Sequence, residues 1–146
     1  GVSRGAINDV RELAISKTRM GETTSVAHRL TFQRNLAHHE AMWRAAHRLV
    51  VDTFTGFQTR IEAGEEVTPL MRCDMRIAAT YATEASREIV QWAHLAAGTT
   101  AIREGSRLER AFRDMYTGTQ HAFISENTYT EAGKMMLGLI QDSTAL

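Results

Sequence analysis

VAHRLTFQRNLAHHEAMWRAAHRLVVDTFTGFQTRIEA, residues 26–63, carries one apolar stripe from end to end. Leu36, Trp43, Val50 and Phe57 recur every seven residues, and Ala46, Phe54 and Ile61 extend the row. That period is helical and does not fit a strand. At 1.5 Å of rise per residue the predicted helix is about 55–60 Å long. Most of a helix's stability comes from packing its apolar face, so one of this length needs partners along its course, as in a bundle. Gly64 is a natural stop.

The flanking sequence supplies those partners. Ala6, Val10, Leu13, Ala14 and Lys17 follow helical spacing and predict a first helix over about Ser3 to Arg19. Gly21 to Ser25 is a polar connection in which Ser25 can cap the long helix. Thr68-Pro69 opens a third helix, with proline at a position where its missing N–H costs nothing. Leu70, Ile77, Ala78, Tyr81, Ala85, Ile89, Trp92 and Ala96 form its apolar face, and it fades near Gly98. After a loop through Ser106, a fourth helix is expected over Arg107 to Ile124. Leu108, Ala111, Phe112, Met115, Ala122 and Phe123 are its inward positions. Thr128-Tyr129-Thr130-Glu131 matches a capping box and predicts a short fifth helix over Tyr129 to Leu139. The expected fold is all-α: an antiparallel four-helix bundle with a short extra C-terminal helix, in a single domain over residues 1–146.

The 43% apolar and 23% charged residues, with a formal net charge of +0, describe an ordinary globular chain. Nothing in that balance predicts a nucleic-acid or anionic-membrane partner. No apolar run is long enough to span a bilayer. Cys73 stands alone, which excludes an internal disulfide and suits a reducing compartment, so a cytoplasmic location is expected. The chain opens at Gly1 inside a helical pattern and has one proline, which predicts a piece of a longer, helix-rich protein.

Six histidines raise the question of a metal, but the spacings argue against one. Di-iron bundles use Glu-x-x-His pairs, whereas Glu40, Glu84 and Glu88 are followed at the third position by Trp43, Arg87 and Gln91. His28, His38, His39 and His47 read as solvated or interfacial helix positions, and Cys73 as a small buried residue. Asp114, Gly118 and His121 fall at i, i+4 and i+7 and share one strip of the predicted fourth helix. Glycine inside a helix costs about 1 kcal/mol relative to alanine, which close approach of a backbone or a flat ligand can justify. A neutral imidazole beside that gap is a competent general base. Spacing alone equally allows tight helix packing at Gly118 and a core histidine at His121, which is the commoner arrangement.

The stretch from Ala97-Gly98-Thr99-Thr100 through Arg107-Leu108-Glu109-Arg110-Ala111-Phe112-Arg113-Asp114 resembles the end of the acyl-CoA dehydrogenase fold, where a Gly-containing turn precedes a Leu/Val-Glu-Arg-x-x-Arg-Asp helix. Arg4-Gly5-Ala6 through Lys17-Thr18-Arg19-Met20-Gly21, followed by Gln33, resembles the start of the same C-terminal domain. Dehydrogenases of this fold usually continue toward Glu-Gly-Thr, and in many the glutamate is the base. Here the chain reads Met115-Tyr116-Thr117-Gly118-Thr119-Gln120-His121-Ala122-Phe123, without that carboxylate. Its Thr-Gln-His pattern is similar to the flavin-dependent monooxygenases of the fold, which include phenol, steroid-ring and dibenzothiophene oxygenases.

The resemblance implies that His121 is catalytic and lies near the reactive edge of a reduced flavin, FMN or FAD. A separate flavin reductase would supply that flavin, and O2 would convert it to a C4a-hydroperoxide that oxygenates an aromatic or heteroatom-containing small molecule. N-oxygenation of an amino sugar falls within the same group. His121 would take a phenolic proton or preserve the oxygenated flavin by hydrogen bonding. Lys17, Arg19, Gln33, Gly98 and Thr99 match positions that reach the cofactor, and a homotetramer is implied. The usual Arg-Lys-x-Phe-Gly is altered to Lys17-Thr18-Arg19-Met20-Gly21, and both cations also suit a helix C-terminus without any ligand. Arg113 and Asp114 read as ion-pair or capping residues. Two other functions compete: an acyl-CoA dehydrogenase, which would need its base from elsewhere, and a non-enzymatic helical interaction module.

Overall fold

The computed structural model describes residues 1–143. Helix α1 spans Val2–Ser16, α2 Leu30–Glu62, α3 Pro69–Ala97, α4 Arg107–Gly118 and α5 Asn127–Met136. Short 3-10 turns at Val26–His28 and Gly98–Thr100 precede α2 and follow α3. Among the described residues there is no strand, only an isolated bridge between Thr18 and Ser25. The all-α bundle of four helices with a short fifth is therefore as the periodicity predicts.

Two compact units are present. The first comprises residues 1–44 and 85–119. Its core is built from Ala6, Val10 and Ala14 of α1, Phe32 of α2, Val90, Ala93 and Ala97 of α3, with Val26, Ala101 and Leu108. Alanine dominates the contact positions, which lets helix backbones approach closely. Arg4 fastens α1 to the start of α2, pairing with Glu40 at 2.6 Å and lying 4.9 Å over the Trp43 ring. Arg44 also pairs with Glu40, and the hydrogen bond from Arg4 is the main reason that its carboxyl lies below the usual glutamate range.

The second unit comprises residues 45–84 and 120–146. Cys73, Ala132 and Met135 form its small core, flanked by Ile77 and Ile140. Tyr129 donates to Glu84 at 2.7 Å and ties α5 to α3. Burial, then that carboxylate, pushes the Tyr129 phenol well above its usual range.

Several helix ends follow their sequence signals. The Met71 N–H donates to Thr68 Oγ1 at 3.2 Å, and the Glu109 N–H to Ser106 Oγ at 3.4 Å. Gly64 adopts φ 82°, the left-handed value that ends a helix without a Cβ penalty. Other expectations are corrected. Ser25 precedes a 3-10 turn, and α2 begins only at Leu30. The Thr128 capping box does not form: α5 starts at Asn127, and Thr128 is 1% exposed with its hydroxyl unpartnered among the described residues. Helix α4 stops at Gly118, short of Ile124, so Phe123 is 62% exposed rather than inward. Phe54, Ile61, Leu70 and Tyr81 are also exposed. Periodicity marks a face that can be buried, not what is present to bury it.

Candidate functional site

In the first unit a cleft of about 310 Å³ opens between the start of α2 and the end of α3. Phe32, Trp92 and Leu95 supply apolar walls, Arg19 and Arg29 bring cations, and Asn35 adds a polar group. Trp92 is held from behind. The imidazole of His39 stacks on it at 4.4 Å and 9°, and Phe32 lies 5.8 Å away on a tilted plane. His39 is 7% exposed, so of its two readings the interfacial one holds and the solvated one is corrected. Its Nδ1 lies 2.7 Å from the Asn35 carbonyl, which can only accept, so Nδ1 carries the proton. Burial is the main cause that lowers the pKa of His39, which favours the neutral ring beside Trp92.

The residues expected to reach a cofactor divide in this unit. Arg19 lines the cleft and donates to the Ala96 carbonyl at 3.4 Å, a long contact that leaves the guanidinium other donors. Lys17 faces the end of α3 instead, donating to the Ala97 carbonyl at 2.5 Å and to Thr100 Oγ1 at 2.8 Å. Burial first, then the charges of Arg19 and Arg103, pulls its pKa down. Gly98 turns beneath that ammonium at φ 58°, and Thr99 is exposed in the same 3-10 turn. Gln33 donates to the Ala27 carbonyl at 2.9 Å and does not line the cleft.

His121 belongs to the second unit and is exposed. It lies in the turn after α4, not on the helix, so the strip shared with Asp114 and Gly118 does not exist. The Phe123 N–H donates to its Nδ1 at 3.2 Å, and the two rings are 5.3 Å apart. With Nδ1 accepting, a neutral ring carries its proton on Nε2. Arg113 pairs with Glu109 at 2.7 Å, the structural role expected of it. Among the described residues, no group of three His, Cys, Asp or Glu side chains is placed to hold a metal. Among the described residues no helix is long and apolar enough to cross a membrane.

The acyl-CoA dehydrogenase C-terminal domain family matches residues 1–126. The chain belongs to this family. An indole-3-acetate monooxygenase of Acinetobacter baumannii is 30% identical over 95% of the chain, and one of Pseudomonas putida is 28% identical over 94%. The chain spans 36% of the length of each. A solved structure of XiaF from Streptomyces sp. in complex with FADH2 and glycerol shares the fold, with a TM-score of 0.90 at 19% identity over 99% of this chain and 37% of that one.

In this acyl-CoA dehydrogenase C-terminal domain, the cleft can enclose a small flat group rather than a whole large ligand. Its volume is at the small end of ligand sites, which run from roughly 300 to 1,000 Å³. An aromatic wall with cations at its edge fits a flat ring joined to phosphate. The sequence singled out Arg19, while Trp92 read as packing alone, His39 as solvated or interfacial, and Arg29, Phe32 and Asn35 carried no reading. The spacing of Arg29, Phe32, Asn35 and His39 along the start of α2, at i, i+3, i+6 and i+10, was a usable signal for one common face.

Proposed function

We propose that residues 1–146 form the C-terminal domain of a longer, reduced-flavin-dependent monooxygenase that hydroxylates a small aromatic compound. The observation that carries this reading is in the turn after Arg113-Asp114. Between Tyr116 and Glu126, His121 is the only ionisable side chain, so no carboxylate is at hand there to abstract a proton as a dehydrogenase requires. The monooxygenase relatives support the same reading, and their indole-3-acetate substrate points to an indole- or phenol-type ring. N-oxygenation of an amino sugar has no such support.

Bound reduced flavin, delivered by a separate reductase, supplies with O2 the electrophilic oxygen. The chain's own part is to bind, orient and donate. The Phe123 hydrogen bond at Nδ1 leaves Nε2–H as the outward group of His121, which supports a role as donor to a developing oxyanion rather than as base. To serve as base at Nε2, the neutral ring would have to move its proton to Nδ1 and lose the Phe123 contact.

Arg19, Arg29, Trp92 and Phe32 support FAD over FMN, because only FAD has a second phosphate and an adenine to place on cations and aromatic faces. Homotetrameric assembly and a cytoplasmic setting complete the reading. The test is to mix the intact enzyme with reduced FAD or reduced FMN, O2 and indole-3-acetate or a phenol. Hydroxylated product with FAD, and weaker binding of FMN, is expected. Oxidation of an acyl-CoA with bleaching of bound flavin would overturn the proposal.

A further inference from the structure

Arg76 extends from α3 with its guanidinium carbon 4.5 Å from the centre of the Phe123 ring. Phe123 touches His121 twice, through the ring contact at 5.3 Å and through its N–H on Nδ1 at 3.2 Å. Arg76, Phe123 and His121 thus form one linked series within the second unit.

The two ends of that series differ in rigidity. Arg76 is half-buried and stands one helical turn beyond Cys73, which is 1% exposed. Its stem therefore leaves a packed part of α3. Phe123 is 62% exposed, and His121 and Ala122 beside it are exposed too. The Ile124 N–H donates to the His121 carbonyl at 2.8 Å, which shapes the backbone of the turn. It leaves the imidazole free to rotate about its own side-chain bonds. What holds the ring is Phe123, and Arg76 is the packed group seen to hold the Phe123 face. A cation over an aromatic face is attracted by the ring quadrupole, and arginine is the usual partner.

We propose that Arg76 is a positioning residue for the oxygenation. Its contact with the Phe123 ring holds Phe123 in place, and Phe123 in turn holds His121 with Nδ1 occupied and Nε2–H directed outward. The inference rests on the role given to His121 above. It extends the reacting group from one side chain to a series of three that joins the turn to α3.

The test is the yield of hydroxylated product per reduced flavin oxidised in the intact enzyme, with flavin affinity measured in parallel. Arg76→Met and Phe123→Leu are each expected to lower the yield about two- to fivefold, the bias that an exposed cation–π contact supplies, with flavin affinity unchanged. Arg76→Lys retains a cation and should recover most of the yield, which a purely steric role would not predict. The double variant Arg76→Met/Phe123→Leu should be no worse than Phe123→Leu alone, because both act through one contact. Full yield from Arg76→Met, alongside a poor yield from His121→Ala, overturns the positioning role and leaves His121 in place. Full yield from both removes His121 from the reaction, and this inference with it. Should Arg76→Met lose its helical circular dichroism, Phe123→Leu decides, and an unchanged yield there overturns the proposal.

Discussion

A Cβ added at Gly118 meets only the Met115 methyl, at 4.0 Å, so the close approach expected from the sequence is not made by any described residue. Gly118→Ala is therefore expected to stabilise the chain by up to about 1 kcal/mol, read from thermal unfolding. A fall in stability would show that the open space is used. Thr128 poses the reverse problem, a buried hydroxyl without a partner among the described residues. Thr128→Val keeps the shape and removes the unpaired group, so a gain of about 1 kcal/mol is expected by urea unfolding. A loss would mean that a water or a group outside the described residues pairs with it. At this scale the sequence was only partly legible. It picked out His121 but set it on a helix that stops at Gly118, and the donor role proposed for it rests on the Phe123 N–H, a contact across two residues that no spacing pattern encodes. His39 was left between solvent and an interface for a related reason. Polarity suggested solvent, while the carbonyl of Asn35 and the face of Trp92 satisfy the ring inside.

Among the elements, the start of α3, the start of α4 and the end of α2 were legible because each carries its signal locally: Thr68-Pro69, Ser106 and Gly64. The ends of α1 and α4 were not. Lys17 leaves the first helix and caps α3 from a distance in sequence, a tertiary contact that overrides local propensity. Lys17→Met is expected to cost about 1.5–3 kcal/mol, the usual net worth of a hydrogen bond to a charged group. Unfolding midpoints would check this, and an unchanged midpoint would show that the Gly98–Thr100 turn holds without its cap. Glu40 gives a pH dependence. Its carboxyl lies below the usual range in the folded chain, chiefly because of Arg4. The stabilisation it brings is thus present above the ordinary glutamate range and lost as pH falls through the folded value. The urea midpoint should drop on acidification, and Glu40→Gln should flatten that drop. An equal acid slope in the variant would assign the effect to other carboxylates.

For the molecule as a whole, the bundle was readable because helical periodicity repeats along every long segment, whereas the cleft was not. Its walls come from two helices distant in sequence, and only Arg19 among the residues expected to reach a cofactor lines it. Both the cleft and the His121 turn belong to a chain that spans 36% of the length of its curated relatives. The imidazole of His121 is proposed to act on the oxygen-transfer step and not on cofactor binding. The most direct measurement is product formed per reduced flavin oxidised by the intact enzyme carrying His121→Ala, with flavin affinity determined on the same preparation. A fall of at least about tenfold in product at undiminished flavin affinity is expected for the loss of such a donor. Undiminished product would contradict the account.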